Sequence, residues 1–479
     1  MLIDYKKVLT YPELKQYLNK NIKISKMNRI IFFLAFLIIP KFCKSQCNLK
    51  ISSGAGQVFA LNNDRKLFAW GWNKFWQLGN NDTSNKNFPI PIIPLYSWKQ
   101  IVGGQHFSIA INNNGTLWAW GNNQFGQLGD GTLTEKHIPT QINIDTAWEK
   151  ISAGQYHVLA IKKNGTLWSW GRNISGELGD GTIISKNIPI QIGTDTNWKE
   201  IAGGLDFSFG IKKNGSLWAW GANANGQLGN GTYTYYLAPT QIGLDTNWDF
   251  VSCGHRHVLL IKNDKTLWSS GENSHGQLGL GTQIQTPILT QIGNSNNWTR
   301  ISAGARHSLA INQNYELWSW GINNYGQLGN GSNVDFNFPN QIGANNLWKD
   351  LSACATSSIF LTQDGKIYSS GYNTYGTLGD SSFIHKDTLT LINLNNCIPE
   401  TISNTEQLIK NPIIFPNPIR NYFYINTEKK NVDYSIFSIF GVKLKSGNYN
   451  FNSQIDMSLF SNGIYIIEIE GKRFKLVKE

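Results

Sequence analysis

The chain has 479 residues, 41 % of them hydrophobic and 13 % aromatic, with 47 glycines, 18 tryptophans and a formal net charge of +11. The charge is uneven: residues 1–45 hold +7 of it and residues 398–479 a further +2, which leaves +2 for residues 46–397. A basic domain is the electrostatic footprint of a nucleic-acid binder, and the long central part of the chain lacks it, so no nucleic-acid partner is expected.

Residues 30–39 are ten consecutive apolar residues, preceded by Lys26 and Arg29. Ten are too few to span a bilayer and suit the core of a signal peptide. Cys43-Lys44-Ser45 has small residues at the two positions that set cleavage, which puts the mature start at Gln46. Met27 then serves as the start of a signal peptide over 27–45, and residues 1–26 read as a misassigned extension. The alternative, a lipid anchor on Cys43, is opposed by Pro40-Lys41-Phe42, which does not resemble a lipobox.

From residue 46 to 397 the chain repeats every 50 residues, seven times. Trp70-Gly71, Trp120-Gly121, Trp170-Gly171, Trp220-Gly221 and Trp320-Gly321 mark the register, with Ser270-Gly271 and Ser370-Gly371 in the weaker copies. The copies read in one order: an apolar opening, a turn that is Asn-Gly at Asn114-Gly115, Asn164-Gly165 and Asn214-Gly215 and is read as type I′, an alternating strand such as Leu167-Trp168-Ser169-Trp170, a glycine-rich loop and a late proline such as Pro139, Pro189, Pro239 and Pro339. Short strands at even spacing predict an all-β protein, and one four-stranded blade per period predicts a seven-bladed β-propeller. Sixteen of the eighteen tryptophans fall on three columns of the repeat and read as inter-blade packing; Trp72 and Trp76 lie off them.

The period ends at Cys397. Residues 398–413 read as a linker, and 414–479 as a small C-terminal β-sandwich of short strands such as Tyr422-Phe423-Tyr424-Ile425. Cys47 and Cys397 are 350 residues, seven periods, apart. In a closed ring they meet at the seam, as a disulfide in an exported protein or as two free thiols. A disulfide closing so long a loop contributes about 4–5 kcal/mol in the chain-entropy model. Cys253 and Cys354 replace small residues and read as buried small hydrophobes.

No nucleotide loop, zinc spacing or nucleophile motif is present, so neither a catalytic residue nor a metal or other cofactor is assigned. His157, His257 and His307 share a column and read as a histidine hydrogen-bonded inside each blade. Asp130, Asp180 and Asp380 interchange with Asn80, Asn230 and Asn330, which suits a turn former. Non-repeating loop residues are the candidates for function: Trp72, Phe75, Trp76, His275, Tyr233, Tyr235, Tyr236, Phe336 and Phe383. Loop aromatics anchor protein and sugar ligands, and packing on a neighbouring blade is the competing explanation. An enzyme site in the central funnel needs converging carboxylates, and Asp206 is the only acid at the variable end of an opening strand.

Two family resemblances follow from these motifs. Ile301-Ser302-Ala303-Gly304, His307-Ser308-Leu309-Ala310, Leu317-Trp318-Ser319-Trp320-Gly321 and Tyr325-Gly326-Gln327-Leu328-Gly329 resemble the regulator of chromosome condensation repeat, across roughly residues 48–397. The resemblance implies a seven-bladed propeller. It carries several activities: nucleotide exchange on a small GTPase through an inserted wedge, or, in a secreted member, β-lactamase inhibition through loop aromatics. All copies here keep one length, so no wedge is available. The tail, with Phe415-Pro416-Asn417-Pro418, Ile439-Phe440-Gly441 and Leu459-Phe460-Ser461-Asn462-Gly463-Ile464-Tyr465, is similar to the sorting domain of the type IX secretion system. It implies that secretion machinery as a partner, with the product released or attached at the outer-membrane surface. The combined expectation is a monomeric, non-catalytic binding module for a protein or glycan. The exchange factor and the polysaccharide-active enzyme are the alternatives.

Overall fold

The structure, a computed structural model, describes residues 49–92, 96–344, 347–394, 413–415, 422–426, 431–438, 440–450 and 454–478. The residues read as a signal peptide, most of those read as a linker, and both Cys47 and Cys397 lie outside them.

Seven four-stranded antiparallel sheets follow one another, each built from four consecutive strands in chain order. The second blade is typical: Trp98–Gly103, Phe107–Asn112, Leu117–Gly121 and Lys136–Gln141. The first strand of every blade lines a central channel with a cavity of about 280 Å³. The fourth is an outer edge strand, and Pro139 sits there beside a register shift at Ala119/Gly121, where no ladder donor is required.

The turn between second and third strands departs from the type I′ expectation. Gly115 N–H donates to Asn112 O and only Gly115 has positive φ, at 88°. This is a type I turn followed by one left-handed residue, the three-residue hairpin solution. One left-handed position is easier to fill than two, and Arg65, Lys265 and Tyr315 occupy it in blades one, five and six.

Seven apolar clusters are shared between neighbouring blades. One joins Phe59, Leu61 and Leu67 of blade one to Trp98, Trp118 and Trp120 of blade two. Another closes the ring, setting Val58, Phe68 and Trp70 against Ile359, Leu361 and the buried Cys354 of blade seven. The Trp70 column works across these interfaces as expected: Trp120, Trp170 and Trp220 Nε1 donate to Gln77, Gln127 and Glu177 O of the preceding blade at 2.9–3.0 Å. Trp70 does the same to Thr377 O across the closure.

The histidine column corrects the sequence reading. His157, His257 and His307 Nε2 reach Ser208, Ser308 and Ser358 of the next blade at 2.9–3.1 Å, so they bond between blades rather than inside them. Each serine spends its own proton on a carbonyl, as Ser208 Oγ does on Glu177 O, so the histidine is the donor.

The C-terminal strands form a separate two-sheet sandwich. Lys443–Asn450, Asn431–Ser438, Gly463–Ile469 and Lys472–Lys478 make one sheet, and Ile413–Phe415, Tyr422–Asn426 and Ile455–Asp456 the other. Phe423 and Ile455 of the small sheet share a core with Ile436, Ile467 and Leu476 of the large one.

Candidate binding face

In an antiparallel meander, the loop after the first strand and the loop after the third leave at the same end of the blade. In blade two these are residues 104–106 and 122–135. One face of the ring therefore collects the long loops, and the other the tight turns and inter-blade links. The tight-turn face repeats itself. Lys162, Lys212 and Lys262 lie over Trp168, Trp218 and Trp268 at 3.5–4.2 Å and pair with Asp145, Asp195 and Asp245 at 2.7 Å. A device repeated in three blades is structural, so attention falls on the long-loop face, where the residues vary.

The loops there are held rigidly. A buried asparagine organises each one: Asn123 Nδ2 donates to Asp130 Oδ1, Thr132 O and Thr134 O, while its Oδ1 accepts from Leu128 N–H at 2.9 Å. Asp130 accepts from Thr132 N–H and Oγ1, the turn-forming role expected of that column. Asn123→Ala strips partners from several buried groups, and an unfolding free energy lower by about 1–3 kcal/mol is expected in urea titrations. Around the channel mouth, inter-blade bonds such as Ala55 N–H to Gly104 O, Gln105 N–H to Gln155 O and Ala355 N–H to Ala55 O tie the short loops together.

On this scaffold, the residue two past the third-strand Trp-Gly tryptophan meets the short loop of the next blade. Trp72 meets His106 edge-on at 4.8 Å, Arg172 pairs with Asp206, and Glu272 pairs with Arg306 at 3.2 Å. The outcome is two unlike sectors. Over blades seven, one, two and three the rings touch in series: Tyr372–Tyr375 at 5.8 Å, Tyr375–Trp72 stacked at 5.0 Å, Phe75–His106 stacked at 4.3 Å, and His106–Tyr156–Phe125 at 5.9 and 5.1 Å. Tyr325 and His385 extend the arc, and Arg172 caps its other end over Tyr156 at 5.0 Å. Burial holds the His106 imidazole near pKa 4, so it is neutral at pH 7, and burial likewise raises the Tyr156 phenol. Blades three to six carry ion pairs instead, Arg172 with the fully buried Glu177 and with Asp206 and Arg306 with Glu272, beside a hydrogen bond between His275 Nδ1 and Asp335 Oδ2 at 2.9 Å. Asp206, the one acid weighed for catalysis, faces a guanidinium. Among the described residues no three His, Cys, Asp or Glu side chains gather as a metal site.

The structure brings together only some of the sequence candidates. Trp72 and Phe75 lie in the aromatic arc. Trp76 lies apart from it, stacked on His137 at 4.1 Å, with φ of 58° where the other blades have glycine. In those blades a Cβ would strike the next outer strand, as Gly126 would strike Asn187 at 2.5 Å. Tyr236 and Phe336 pack against inter-blade cores. His275 belongs to the ionic sector, and Tyr233, Tyr235 and Phe383 are exposed on their loops. His106, Tyr156, Tyr372 and Arg172 were missed. Their columns carried the signal: Gly56, His106, Tyr156, Asp206, Arg256, Arg306 and Thr356 differ almost as widely as seven residues can.

Residues 37–250 and 150–413 match the RCC1-like domain, and residues 413–479 match the secretion system C-terminal sorting domain. The sorting tail indicates export and attachment at the cell surface or outer membrane. None of the curated proteins matches the chain. Among solved structures, human WBSCR16 is similar at 19 % identity and TM-score 0.62, covering 69 % of this chain and 94 % of its own. Prp20p of Saccharomyces cerevisiae, described with its binding to Gsp1p and histones, is similar at 22 % identity and TM-score 0.60, covering 67 % and 84 %. The yeast protein in complex with Kap60 gives 20 %, 0.62, 74 % and 87 %. At these identities the likeness is one of fold.

Proposed function

The chain belongs to the RCC1-like domain family, and on that premise we propose that it is an exported, non-catalytic binding module that holds a protein or glycan ligand on the long-loop face of its propeller. The observation that carries this reading is the aromatic arc through Tyr372, Tyr375, Trp72, Phe75, His106 and Tyr156, assembled from positions whose residues vary between blades. Residues needed by the fold recur in every blade, as the Asn123 column does. The arc positions vary from blade to blade: His106 and Tyr156 share a column with Gly56 and Asp206, Trp72 and Tyr372 with Asn122 and Arg172, and Phe75 and Tyr375 with Phe125, Ser175, Asn225, His275 and Tyr325. Ring-on-ring contacts order them before any ligand arrives, which lowers the ordering cost of binding.

An exchange factor is the family's eponymous alternative. Repeats of equal length, the near-neutral propeller and the sorting tail all speak against it here. The test is a glycan array and a protein-binding screen with the chain from Gln46, followed by affinity measurements on the ligand recovered. Trp72→Ala with Phe75→Ala is expected to weaken it at least about 30-fold, the scale of a hot spot of 2 kcal/mol or more. Unchanged affinity would place the site elsewhere, and ligand turnover would make the protein an enzyme.

A further inference from the structure

The long-loop face has a second feature, outside the aromatic arc. At the tips of the long loops an apolar side chain stands in solvent in blade after blade: Leu133, Ile183, Tyr233, Ile284, Val334 and Phe383, with exposures from 49 % at Tyr233 to 75 % at Ile284. In blade one the tip carries Thr83 and Ser84, and Phe88, at the loop end of the outer strand, is exposed instead. Scattered surface leucines and isoleucines are ordinary, but an exposed apolar residue at one of two adjacent positions of the same loop, in six of the seven blades, forms a belt.

Geometry narrows what such a belt can meet. Equivalent positions make equivalent inter-blade contacts, as Gly131 N–H to Asn187 O, Gly181 N–H to Leu237 O and Gly231 N–H to Pro287 O do at 2.7–2.9 Å. The tips, two or three residues beyond these anchored positions, are therefore carried on a ring about the channel axis. A small ligand touches one or two of the tips. Only a flat, extended body touches all of them.

Charge narrows it further. Three of the lysines beside the tips are matched within their own loops: Lys86 with Asp82 at 2.7 Å, Lys136 with Asp130 at 2.9 Å and Lys186 with Asp180 at 3.4 Å. An anionic partner gains little from paired lysines, whereas an apolar interfacial layer accepts a rim whose charges are internally compensated. The sorting tail, meanwhile, indicates a protein delivered to the outer-membrane surface. Exposed aliphatic and aromatic side chains on a rigid face are the chemistry of shallow interfacial insertion.

We propose that the long-loop face seats on a lipid surface, with the belt from Leu133 to Phe383 entering the interfacial layer. This goes beyond the ligand-binding reading and does not depend on which ligand the aromatic arc takes.

The experiment is flotation of the chain from Gln46, which contains the whole compact unit Asn48–Glu479, with neutral phosphatidylcholine vesicles. Co-flotation is expected, unchanged between low and high salt because the contact is apolar. Leu133→Ser, Ile183→Ser, Ile284→Ser and Phe383→Ser combined should reduce partitioning at least tenfold with the melting temperature unmoved, all four residues being exposed. Trp72→Ala with Phe75→Ala should leave partitioning intact, which separates this proposal from the ligand site. Absent flotation, flotation abolished by salt, or flotation indifferent to the four serines would each overturn it. So would concentration-dependent self-association that the four serines abolish, since the belt would then be a contact between copies.

Discussion

Acidification from pH 7 to pH 5 is expected to lower the unfolding free energy of the propeller by about 6 kcal/mol through His157, His257 and His307, about 2 kcal/mol for each, with His106 and His255, also held near pKa 4 by burial, adding to the loss. All three are fully buried, and desolvation holds their folded-state pKa values to about 3, 3 and 4, against 6.5 for an ordinary histidine. The cause is visible in the packing. Nε2–H is used on a serine of the next blade, while Nδ1 lies against the glycine that follows the first strand, Gly154 beside His157, with no partner for a second proton. A depressed histidine is neutral in the fold and charges on unfolding. Its stabilisation is therefore complete above pH 6.5 and is lost as pH falls from 6.5 toward the folded values. The aspartates with lowered pKa, such as Asp145 and Asp249, act below about pH 4, so the window from 6.5 to 5 belongs to the histidines. Urea titrations at half-unit pH intervals measure the slope.

The control variant is already present in the chain. Phe107 packs with Val158, and Phe207 with Val258, at equivalent interfaces. Replacing the three histidines by Phe and Ser208, Ser308 and Ser358 by Val should remove about 6 kcal/mol of the loss between pH 7 and pH 5, leaving the smaller slope that His106 and His255 carry. A slope unchanged by those six changes would assign the acid sensitivity to other groups.

The second large effect concerns the Trp70 column. Trp170→Ser should cost about 3–5 kcal/mol, as large-to-small changes of buried aromatics do. Adding Pro189→Leu should recover at least half of it. Blades five and seven show why: Ser270 and Ser370 coincide with Leu289 and Leu389, while the five tryptophan blades all have proline at that place. Gly179 lies against Trp220 Nε1 and Pro239 Cδ, whereas Gly229 lies against Leu289 Cγ and Ser270 Oγ. Leucine thus fills volume that the missing indole vacates, and the serine hydroxyl keeps the carbonyl acceptor, Ser270 Oγ reaching Gln227 O at 3.4 Å. Thermal unfolding of the single and double variants decides it. Equal melting temperatures for the two would show that leucine does not compensate.

Both compensations were legible as correlations between columns of one sequence, histidine with serine in the next blade and serine with leucine in the same one. Neither was read, because a column taken alone gives residue types and not neighbours. The turn was misread for a related reason. Asn-Gly satisfies two hairpin geometries, and which one forms depends on strand register, which the hydrogen bonds of Asn112 set.

What the sequence determined by itself is whatever depends on repetition: the period, the blade count, the ring, the sorting tail, and the exclusion of tryptophans, histidines and turn aspartates from the functional list. Repeated residues see the same environment seven times, so local pattern suffices. What only the tertiary structure decided is which variable residues meet. Trp72 and His106 are 34 positions apart, and Tyr375 and Trp72 are 303 apart. They touch because the ring closes and each long loop leans on the next blade. Trp76, which departs from a glycine column, and Tyr236, on a variable one, are carried by the same geometry onto a neighbouring imidazole and into a core. The aromatic arc is a property of the closure, which no single repeat contains.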